Sequence, residues 1–392
     1  MPFYRSVGDV PRKRHTQFRR PDGGLFAEEL MGQEGFSSVS ALLYHRHLPT
    51  AIVAATAWVP DGGGEPTVAN HPLLPRHVRA HALDPVAPRD AVTGRRLLFA
   101  NADVAVSYVV AATASPLYRN AVGDEVLYVE SGTGSVETVF GVVDACPGDY
   151  LVIPTSTTYR VVPAGGEPLR LLVVEASGHV APPARYLSTS GQFLEHAPFC
   201  ERDLRSPTEP LLVEGEDVEV LVKHRQGCTR YTYAHHPFDV IGWDGAQYPY
   251  ALSIHDFEPI TGRLHQPPPV HQTFAGPNFV ICSFVPRLFD YHPEAIPAPY
   301  NHANVDSDEV LFYCGGDFMS RKGAGIEHGS LTLHPSGFTH GPQPGSVEAS
   351  IGRPSTDELA VMVDTFRPLD LGQAALEAED AGYPWTWSGR SL

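Results

Sequence analysis

The chain has 392 residues, 42% of them hydrophobic, which is enough for two or more domains with their own cores. Its formal net charge of −17 argues against nucleic acid and against anionic membrane surfaces as partners. With 36 glycines and 37 prolines spread along the chain, the composition predicts a mainly β, turn-rich protein rather than a helical one.

The N-terminus and the cysteines indicate a cellular location. The opening residues Met1-Pro2-Phe3-Tyr4-Arg5 lack the apolar core of a signal peptide, and no apolar run approaches the length of a transmembrane helix. The five cysteines are odd in number, scattered and without CxxC spacing. We therefore expect a reduced, cytoplasmic protein.

In chain order, residues 1–95 predict an N-terminal extension, basic at 12–15 and rich in glycine and proline from 60 onward. Residues 96–180 contain short β-branched and aromatic runs at 125–129, 150–154 and 169–174. Runs of this length, bounded by turn residues, predict a first antiparallel β-barrel.

Residues 181–270 are less regular and are interpreted as a connecting segment packed between two barrels. Strand-like runs return at 279–285, 310–313, 330–333 and 358–365, so residues 271–370 predict a second barrel. Strong helix formers at 371–380 predict one short helix, which with the aromatic tail makes a C-terminal segment of 371–392.

The two β blocks repeat one pattern. Asn120, Glu125 and Gly132 in the first block are spaced as Asn304, Glu309 and Gly316 are in the second. This resembles the cupin pattern, in which two short motifs on facing strands of a small β-barrel supply metal ligands. Two copies in one chain predict a bicupin.

The two copies differ in histidine. The first block has no histidine between residues 81 and 179, and Tyr118 stands where the second block has His302. Because imidazole is the commonest metal ligand, we expect the first barrel to bind no metal. The second block keeps His302, Glu309 and His340, the 2-His-1-carboxylate set of non-haem Fe(II) oxygenases. Ligand identity alone leaves Mn²⁺ and Zn²⁺ open.

Other polar residues are candidates for supporting roles, although each also has a structural explanation. His334 and Asn304 are candidates for orienting the metal ligands. His271 is the candidate general base, expected to titrate near neutrality beside the metal. Arg287 and Arg321 could each bind a substrate carboxylate in a bidentate manner.

Several segments together resemble homogentisate 1,2-dioxygenase in its shorter bacterial form, over residues 5–370. They are Gly35-Phe36-Ser37-Ser38, residues 279–287, Pro299-Tyr300-Asn301-His302, His334, His340-Gly341-Pro342 and residues 358–366. The resemblance implies an Fe(II) enzyme of tyrosine and phenylalanine catabolism that converts homogentisate and O₂ to 4-maleylacetoacetate. It also implies a homo-oligomer, a trimer or a hexamer.

The resemblance implies roles for individual residues. The iron ligands fall on His302, Glu309 and His340, and the catalytic histidine on His271. Substrate contacts fall on Tyr300 and His340, and Phe318 stands where the animal enzymes have a further pocket tyrosine. Two alternatives stay open: a related cupin dioxygenase acting on gentisate or another hydroquinone acid, and a non-catalytic bicupin binding protein.

Overall fold

The computed structural model describes residues 3–59, 66–85, 87–321 and 323–388. Strands dominate these residues, as the short apolar runs between turn residues predict. The N-terminal extension holds β1 (Arg5–Gly8), β2 (Ala27–Gly32), β3 (Ser40–His45), β4 (Ile52–Trp58), β5 (Val68–Ala69) and β6 (Arg76–Arg79). The next block holds β7 (Arg96–Ala100), β8 (Val104–Ala111), β9 (Leu117–Asn120), β10 (Glu125–Ser131), β11 (Gly134–Thr138), β12 (Gly141–Ala145), β13 (Asp149–Ile153), β14 (Thr158–Pro163) and β15 (Leu169–Ala176).

The second half of the chain is also built of strands. Residues 181–270 hold β16 (Leu204–Arg205), β17 (Val218–His224), β18 (Gly227–Tyr233), β19 (Val240–Gly245) and β20 (Tyr250–Ser253). After them come β21 (Gln272–Gly276), β22 (Phe279–Phe284), β23 (Arg287–Leu288), β24 (His302–Ala303), β25 (Asp308–Gly315), β26 (Ser330–His334), β27 (Thr339–His340), β28 (Ser355–Thr356), β29 (Leu359–Thr365) and β30 (Asp370–Leu371).

Helices are few and short within the described ranges. The two α-helices are α1 (Ser346–Ser350) and α2 (Gln373–Glu377). Short 3₁₀ helices lie at Glu34–Phe36, Ala80–Leu83, Ala184–Tyr186, Glu201–Asp203, Ile254–Asp256, Pro268–His271, Met319–Arg321 and Tyr383–Ser388. None of the described helices is long and apolar enough to cross a membrane. All five cysteines are free thiols.

Two sheets face each other to form the first barrel. The nine-stranded sheet has the order β16-β20-β13-β10-β15-β8-β7-β30-β5, and the seven-stranded sheet has the order β12-β11-β14-β9-β17-β18-β4. Leu127 and Leu171 from one sheet pack with Val136 and Val161 from the other in a buried apolar cluster. A further four-stranded sheet, β1-β19-β3-β2, is formed largely by the N-terminal extension.

The second barrel is built on a six-stranded sheet, β21-β22-β29-β25-β26-β6, with two short ladders, β23-β28 and β24-β27. Successive side chains of a strand point to opposite faces. In β25, Val310 and Phe312 pack with Tyr128 against the first barrel, in the largest core cluster. Leu311 and Tyr313 point the other way, into the second barrel.

The internal repeat is visible in the hydrogen bonds of the two blocks. The Asp124 carboxylate accepts from the backbone N–H groups of residues 155 and 180, at 2.7 and 2.8 Å. The Asp308 carboxylate accepts from those of residues 336 and 369, both at 2.8 Å. Each aspartate directly precedes the glutamate of its motif, so an equivalent set of hydrogen bonds holds the motif in each barrel.

The structure confirms the mainly β fold and is consistent with two cupin-like barrels. Two details differ from the sequence-based expectation. The helix predicted at 371–380 is shorter, Gln373–Glu377, and α1 was not predicted. Residues 181–270 do not simply lie between the barrels, because β17, β18 and β20 extend the sheets of the first barrel. The predicted domain boundaries remain predictions.

Candidate metal centre

Three predicted metal ligands meet at one edge of the second barrel. Strands β24 and β27 pair antiparallel with His302 directly opposite His340, and Glu309 is the second residue of the long strand β25. Ligand atoms of the three residues lie within 4.8 Å of one another. Glu309 is 3.8 Å from the Nε2 atom of His302 and 3.5 Å from that of His340. Ligand atoms that are each about 2.1 Å from one metal ion lie roughly 3 Å from one another. The three side chains therefore need to move only slightly closer together to bind one divalent ion.

Backbone contacts fix which ring nitrogen each histidine presents. The Nδ1 atom of His302 lies 3.2 Å from the carbonyl of Tyr300, and that of His340 lies 3.2 Å from the carbonyl of Phe338. A carbonyl can only accept, so Nδ1 carries the proton and Nε2 keeps its lone pair toward Glu309. The Nε2 atom of His340 is buried and has no hydrogen-bond partner among the described residues. A metal ion would satisfy it.

The close approach of the two ligand segments depends on Gly341. A Cβ atom at this position would lie 2.1 Å from the Asn301 side-chain oxygen and 2.7 Å from its Cα atom. Any larger residue would therefore push the chain after His340 away from the chain before His302. The glycine that follows His340 is therefore required for steric reasons.

Glu309 is held by a chain of hydrogen bonds that reaches the C-terminal tail. His334 donates through Nδ1 to the Glu309 carboxylate at 2.8 Å, and the Tyr383 hydroxyl lies 2.8 Å from the opposite nitrogen, Nε2. The Asn304 amide lies 3.5 Å from Glu309, at the limit of a hydrogen bond. Both predicted orienting residues therefore contact the ligand carboxylate, His334 much more closely.

Ionisation within this chain follows from burial and hydrogen bonding. Burial raises the pKa of Glu309, but the hydrogen bond from His334 and the nearby rings of His302 and His340 outweigh it and hold this pKa well below its ordinary value. Burial lowers the pKa of His334 to about 3, against an opposing effect of Glu309. A neutral His334 has one N–H and one lone pair, which matches its donation to Glu309 and its acceptance from Tyr383.

A cavity of about 200 Å³ opens beside the ligands. An apolar cavity of roughly 150 Å³ holds a benzene molecule, so this one accommodates a single substituted ring. Its apolar wall includes Phe284, Leu311 and Met362, and its polar lining includes His271 and two arginines. The space beside the candidate metal centre is therefore suited to a small aromatic acid.

His271 lies in this cavity at the end of a 3₁₀ turn, with its ring 4.6 Å from that of Phe284. It is only 8% exposed, and its Nδ1 atom has no partner in the described part of the chain. Burial, with Arg287 and His265, lowers its pKa to about 3. The sequence-based expectation was a pKa near neutrality; the structure instead gives a neutral imidazole with a free lone pair.

The two candidate arginines differ in their partners. Arg287 pairs with Glu358 at 3.3 Å. Arg321, 6% exposed, donates to the hydroxyl of Tyr313 and the carbonyl of Gly341, and pairs with no carboxylate among the described residues. Because burying a cation without a counter-ion is costly, Arg321 is the better placed to receive an anionic ligand.

Tyr300 is placed differently from the other predicted site residues. Its ring is 58% exposed, packs edge-on against His265 at 5.1 Å and is not among the residues that line the cavity. Its predicted contact with substrate stays a prediction that this geometry does not support. Phe318 packs against Tyr313 with the ring centroids 4.9 Å apart.

The counterpart of this site in the first barrel is filled by an arginine. Arg95 donates to Glu125 at 2.6 Å, to Glu175 at 2.7 Å and to the hydroxyl of Tyr159 at 2.9 Å. Its guanidinium also lies 5.5 Å from the ring of Tyr118. An internal cation therefore occupies the position that corresponds to the metal, which supports the expectation that this barrel binds none.

Sequence reasoning missed two residues of the site. Tyr383 was assigned only to an apolar tail, and no local pattern links it to His334. Asp364 lines the cavity from β29, directly opposite Glu309 in β25. The repeat could have identified Asp364, because each barrel has an acid at the end of an apolar run, Glu175 in the first and Asp364 in the second.

Comparisons with known proteins identify dioxygenases as relatives of this chain. Residues 69–254 match the family model described as the homogentisate 1,2-dioxygenase N-terminal domain. A protein of Saccharolobus solfataricus, described only provisionally as a dioxygenase, is 40% identical over 391 residues, covering 99% of both chains. The homogentisate 1,2-dioxygenase of Bradyrhizobium diazoefficiens is 26% identical over 290 residues, which are 69% of this chain and 62% of that enzyme.

Among solved structures, a cupin 2 conserved barrel domain protein from Leptotrichia buccalis is similar over 74% of this chain and 96% of its own. The sequence identity is 11% and the TM-score is 0.33. A similarity this low supports no conclusion about the site.

Proposed function

Because the chain belongs to the homogentisate 1,2-dioxygenase family, we propose that it is an Fe(II)-dependent, ring-cleaving dioxygenase that converts homogentisate and O₂ to 4-maleylacetoacetate. The observation that carries this proposal is the triad of His302, Glu309 and His340, with both Nε2 atoms directed at the carboxylate and a ring-sized cavity beside it. This role belongs to tyrosine and phenylalanine catabolism.

The donor set favours iron. Two neutral imidazoles and one carboxylate on one side of an ion leave other coordination positions free, as in non-haem Fe(II) oxygenases. The buried, unpartnered Nε2 atom of His340 fits such an ion. Iron, when bound, would polarise the substrate and allow electrons to pass from the ring to O₂. The remaining tasks are orientation and proton transfer, and these belong to the protein.

The cavity residues divide these tasks. Arg321 offers a guanidinium with no carboxylate partner to the acetate group of the substrate, while Arg287 is already paired with Glu358. His271 accepts the proton of a ring hydroxyl on its free lone pair. Burial and then Arg287 lower the pKa of His271, and the negative charge of a bound substrate would offset the effect of Arg287. The apolar walls keep water from the ring.

The test is anaerobic reconstitution with Fe(II), followed by O₂ uptake with homogentisate, gentisate and homoprotocatechuate. We expect one iron per chain, O₂ consumption with homogentisate and a ring-opened product that contains both oxygen atoms. Glu309→Gln should lose the iron and the activity, whereas Glu348→Gln, an exposed glutamate of α1, should keep both.

The three substrates also separate the alternatives. Faster O₂ uptake with gentisate or homoprotocatechuate would replace homogentisate as the substrate without changing the reaction class. A Glu309→Gln protein that retains iron and activity would refute the ligand assignment. A wild-type protein that holds no stoichiometric metal would favour a non-catalytic binding protein.

We also propose a cytoplasmic homo-oligomer, a trimer or a hexamer. Edge strand β4 supports an assembly, because Ile52 and Val53 are 48% and 59% exposed and one edge of the strand has no partner strand among the described residues. Exposed apolar edge strands are normally covered or paired. Light scattering of the purified protein measures the assembly directly, and a monomer at micromolar concentration would contradict this proposal.

A further inference from the structure

Asp364 is a second carboxylate beside the ligand Glu309. It lies in β29 directly opposite Glu309 in β25, and side chains at opposed positions of an antiparallel pair lie on the same face. Val361 and Val363 point to the opposite face of β29, into the core between the barrels. Its own side chain therefore faces the interior of the second barrel, where it lines the cavity.

The Asp364 carboxyl group has no partner. Its Oδ1 atom is buried, and the side chain makes no hydrogen bond or ion pair with any residue that the structure describes. Leaving a buried polar group unpaired is costly, so an unpaired one that faces a cavity marks a contact completed by a ligand. The same cavity holds the unpaired Nδ1 atom of His271.

The first barrel shows what an acid at this position does. Glu175 stands opposite Glu125 as Asp364 stands opposite Glu309. Glu175 accepts from Arg95 at 2.7 Å and from Lys223 at 3.0 Å. No lysine or arginine pairs with Asp364 within the described ranges, and Asp364 lies outside the group of ligand atoms that could share one ion with Glu309. A molecule bound in the cavity can supply the donor that the protein does not.

We propose that Asp364 is a positioning and specificity residue, whose carboxyl oxygen accepts a hydrogen bond from one ring hydroxyl of the substrate. The substrate's own carboxylate lies at the other end, against Arg321, which lines the same cavity. The ring is thereby oriented from both ends. This inference rests on the proposed function, and it adds that the site selects ring acids with two hydroxyl groups over those with one.

A binding cycle tests the contact without turnover. The dissociation constants of homogentisate, 2-hydroxyphenylacetate and 3-hydroxyphenylacetate are measured by anaerobic calorimetry on the Fe(II)-loaded wild type and on Asp364→Ala. In the wild type, removal of the contacting hydroxyl should weaken binding about 2- to 10-fold, the usual effect of one lost hydrogen bond. In Asp364→Ala the same removal should have no effect, because the partner is already missing.

Two further variants keep the test decisive. Asp364→Leu fills the volume that alanine leaves empty and serves if Asp364→Ala does not fold. Asp364→Asn keeps an acceptor oxygen. The ratio of the dissociation constants with and without the contacting hydroxyl should therefore keep at least half of its wild-type value on a logarithmic scale. An Asp364→Asn protein with the same ratio as Asp364→Ala would overturn the acceptor role. Bound iron should be equal in all variants, and loss of iron in Asp364→Asn would overturn the assignment to substrate rather than metal.

The outcomes separate the two proposals. If the wild type binds and oxidises homogentisate but the effects of hydroxyl removal and of Asp364→Ala are simply additive, only the role of Asp364 is refuted. If the iron-loaded wild type binds neither homogentisate nor gentisate, the proposed function fails and the role of Asp364 fails with it.

Discussion

Tyr383→Phe should weaken iron binding although Tyr383 touches none of the three ligands. Its hydroxyl lies 2.8 Å from the Nε2 atom of His334, whose Nδ1 atom donates to Glu309 at the same distance. Without the hydroxyl, the buried Nε2 atom has no donor among the described residues. The neutral imidazole is then free to move its proton to Nε2, and Glu309 would lose its closest donor.

The expected size follows from one lost contact at a fully buried site. His334 and Tyr383 are 0% and 1% exposed, so water does not replace the missing hydroxyl. An unsatisfied buried acceptor costs about 1–3 kcal/mol. Removal of residues that orient metal ligands typically costs about 10- to 100-fold in metal affinity. We therefore expect the Fe(II) dissociation constant of Tyr383→Phe to rise about 10- to 100-fold.

The assay is anaerobic competition for Fe(II) against a chromophoric chelator. Tyr250→Phe is the matched control, because Tyr250 is equally buried but its hydroxyl has no hydrogen-bond partner in the described part of the chain. The control should bind iron like the wild type. Equal affinities of Tyr383→Phe and Tyr250→Phe, with both proteins folded, would refute the view that the C-terminal tail fixes the tautomer of His334.

Three further predictions concern the cavity and the N-terminal sheet. His271→Asn should lower kcat about 10²- to 10⁴-fold, as expected for a lost proton acceptor, while iron content stays equal; iron loss would make His271 a ligand. Arg321→Met should raise the KM for homogentisate about 10- to 100-fold and more than Arg287→Met does, and equal effects would contradict the carboxylate assignment. Hydrogen bonds from His45 to Asp239 and Glu29 overcome its burial and raise its pKa to about 9. The resulting stabilisation, up to about 3 kcal/mol, should be complete below pH 6.5 and lost as the pH rises through 9; His45→Gln should unfold in urea without that pH dependence.

The metal triad could be predicted from the sequence because its geometry is encoded locally. His302 and Glu309 lie on either side of one turn, and His340 follows a second turn in β27, which pairs with the strand of His302. Short separations of this kind fix register, and the repeated copy at 120–132 supplied an internal check. The mainly β class followed from the same turn spacing, whereas the sheet memberships of β6, β17 and β20 depend on long-range pairing.

The supporting contacts could not be predicted for the same reason. Tyr383 reaches His334 only because the chain after α2 folds back over the second barrel. There Trp387 donates to the carbonyl of Gly341 at 3.0 Å, and Gln343 donates to Thr386 at 2.9 Å. None of these contacts leaves a periodic signal. The low pKa of His271 also depends on burial and on Arg287, which are tertiary effects.

The comparison of the two barrels gives a physical reason for expecting a cation in the second. Each places two acids opposite each other in neighbouring strands, Glu125 with Glu175 and Glu309 with Asp364. Two buried carboxylates at such a distance repel each other and require either a proton or a cation. In the first barrel the guanidinium of Arg95 is this cation, and it is a permanent part of the chain. In the second, no arginine or lysine among the described residues pairs with either acid. His334 donates to Glu309 at 2.8 Å, and the Nε2 atoms of His302 and His340 lie 3.8 and 3.5 Å from it. This arrangement favours a cation taken from solution, held by Glu309 together with His302 and His340.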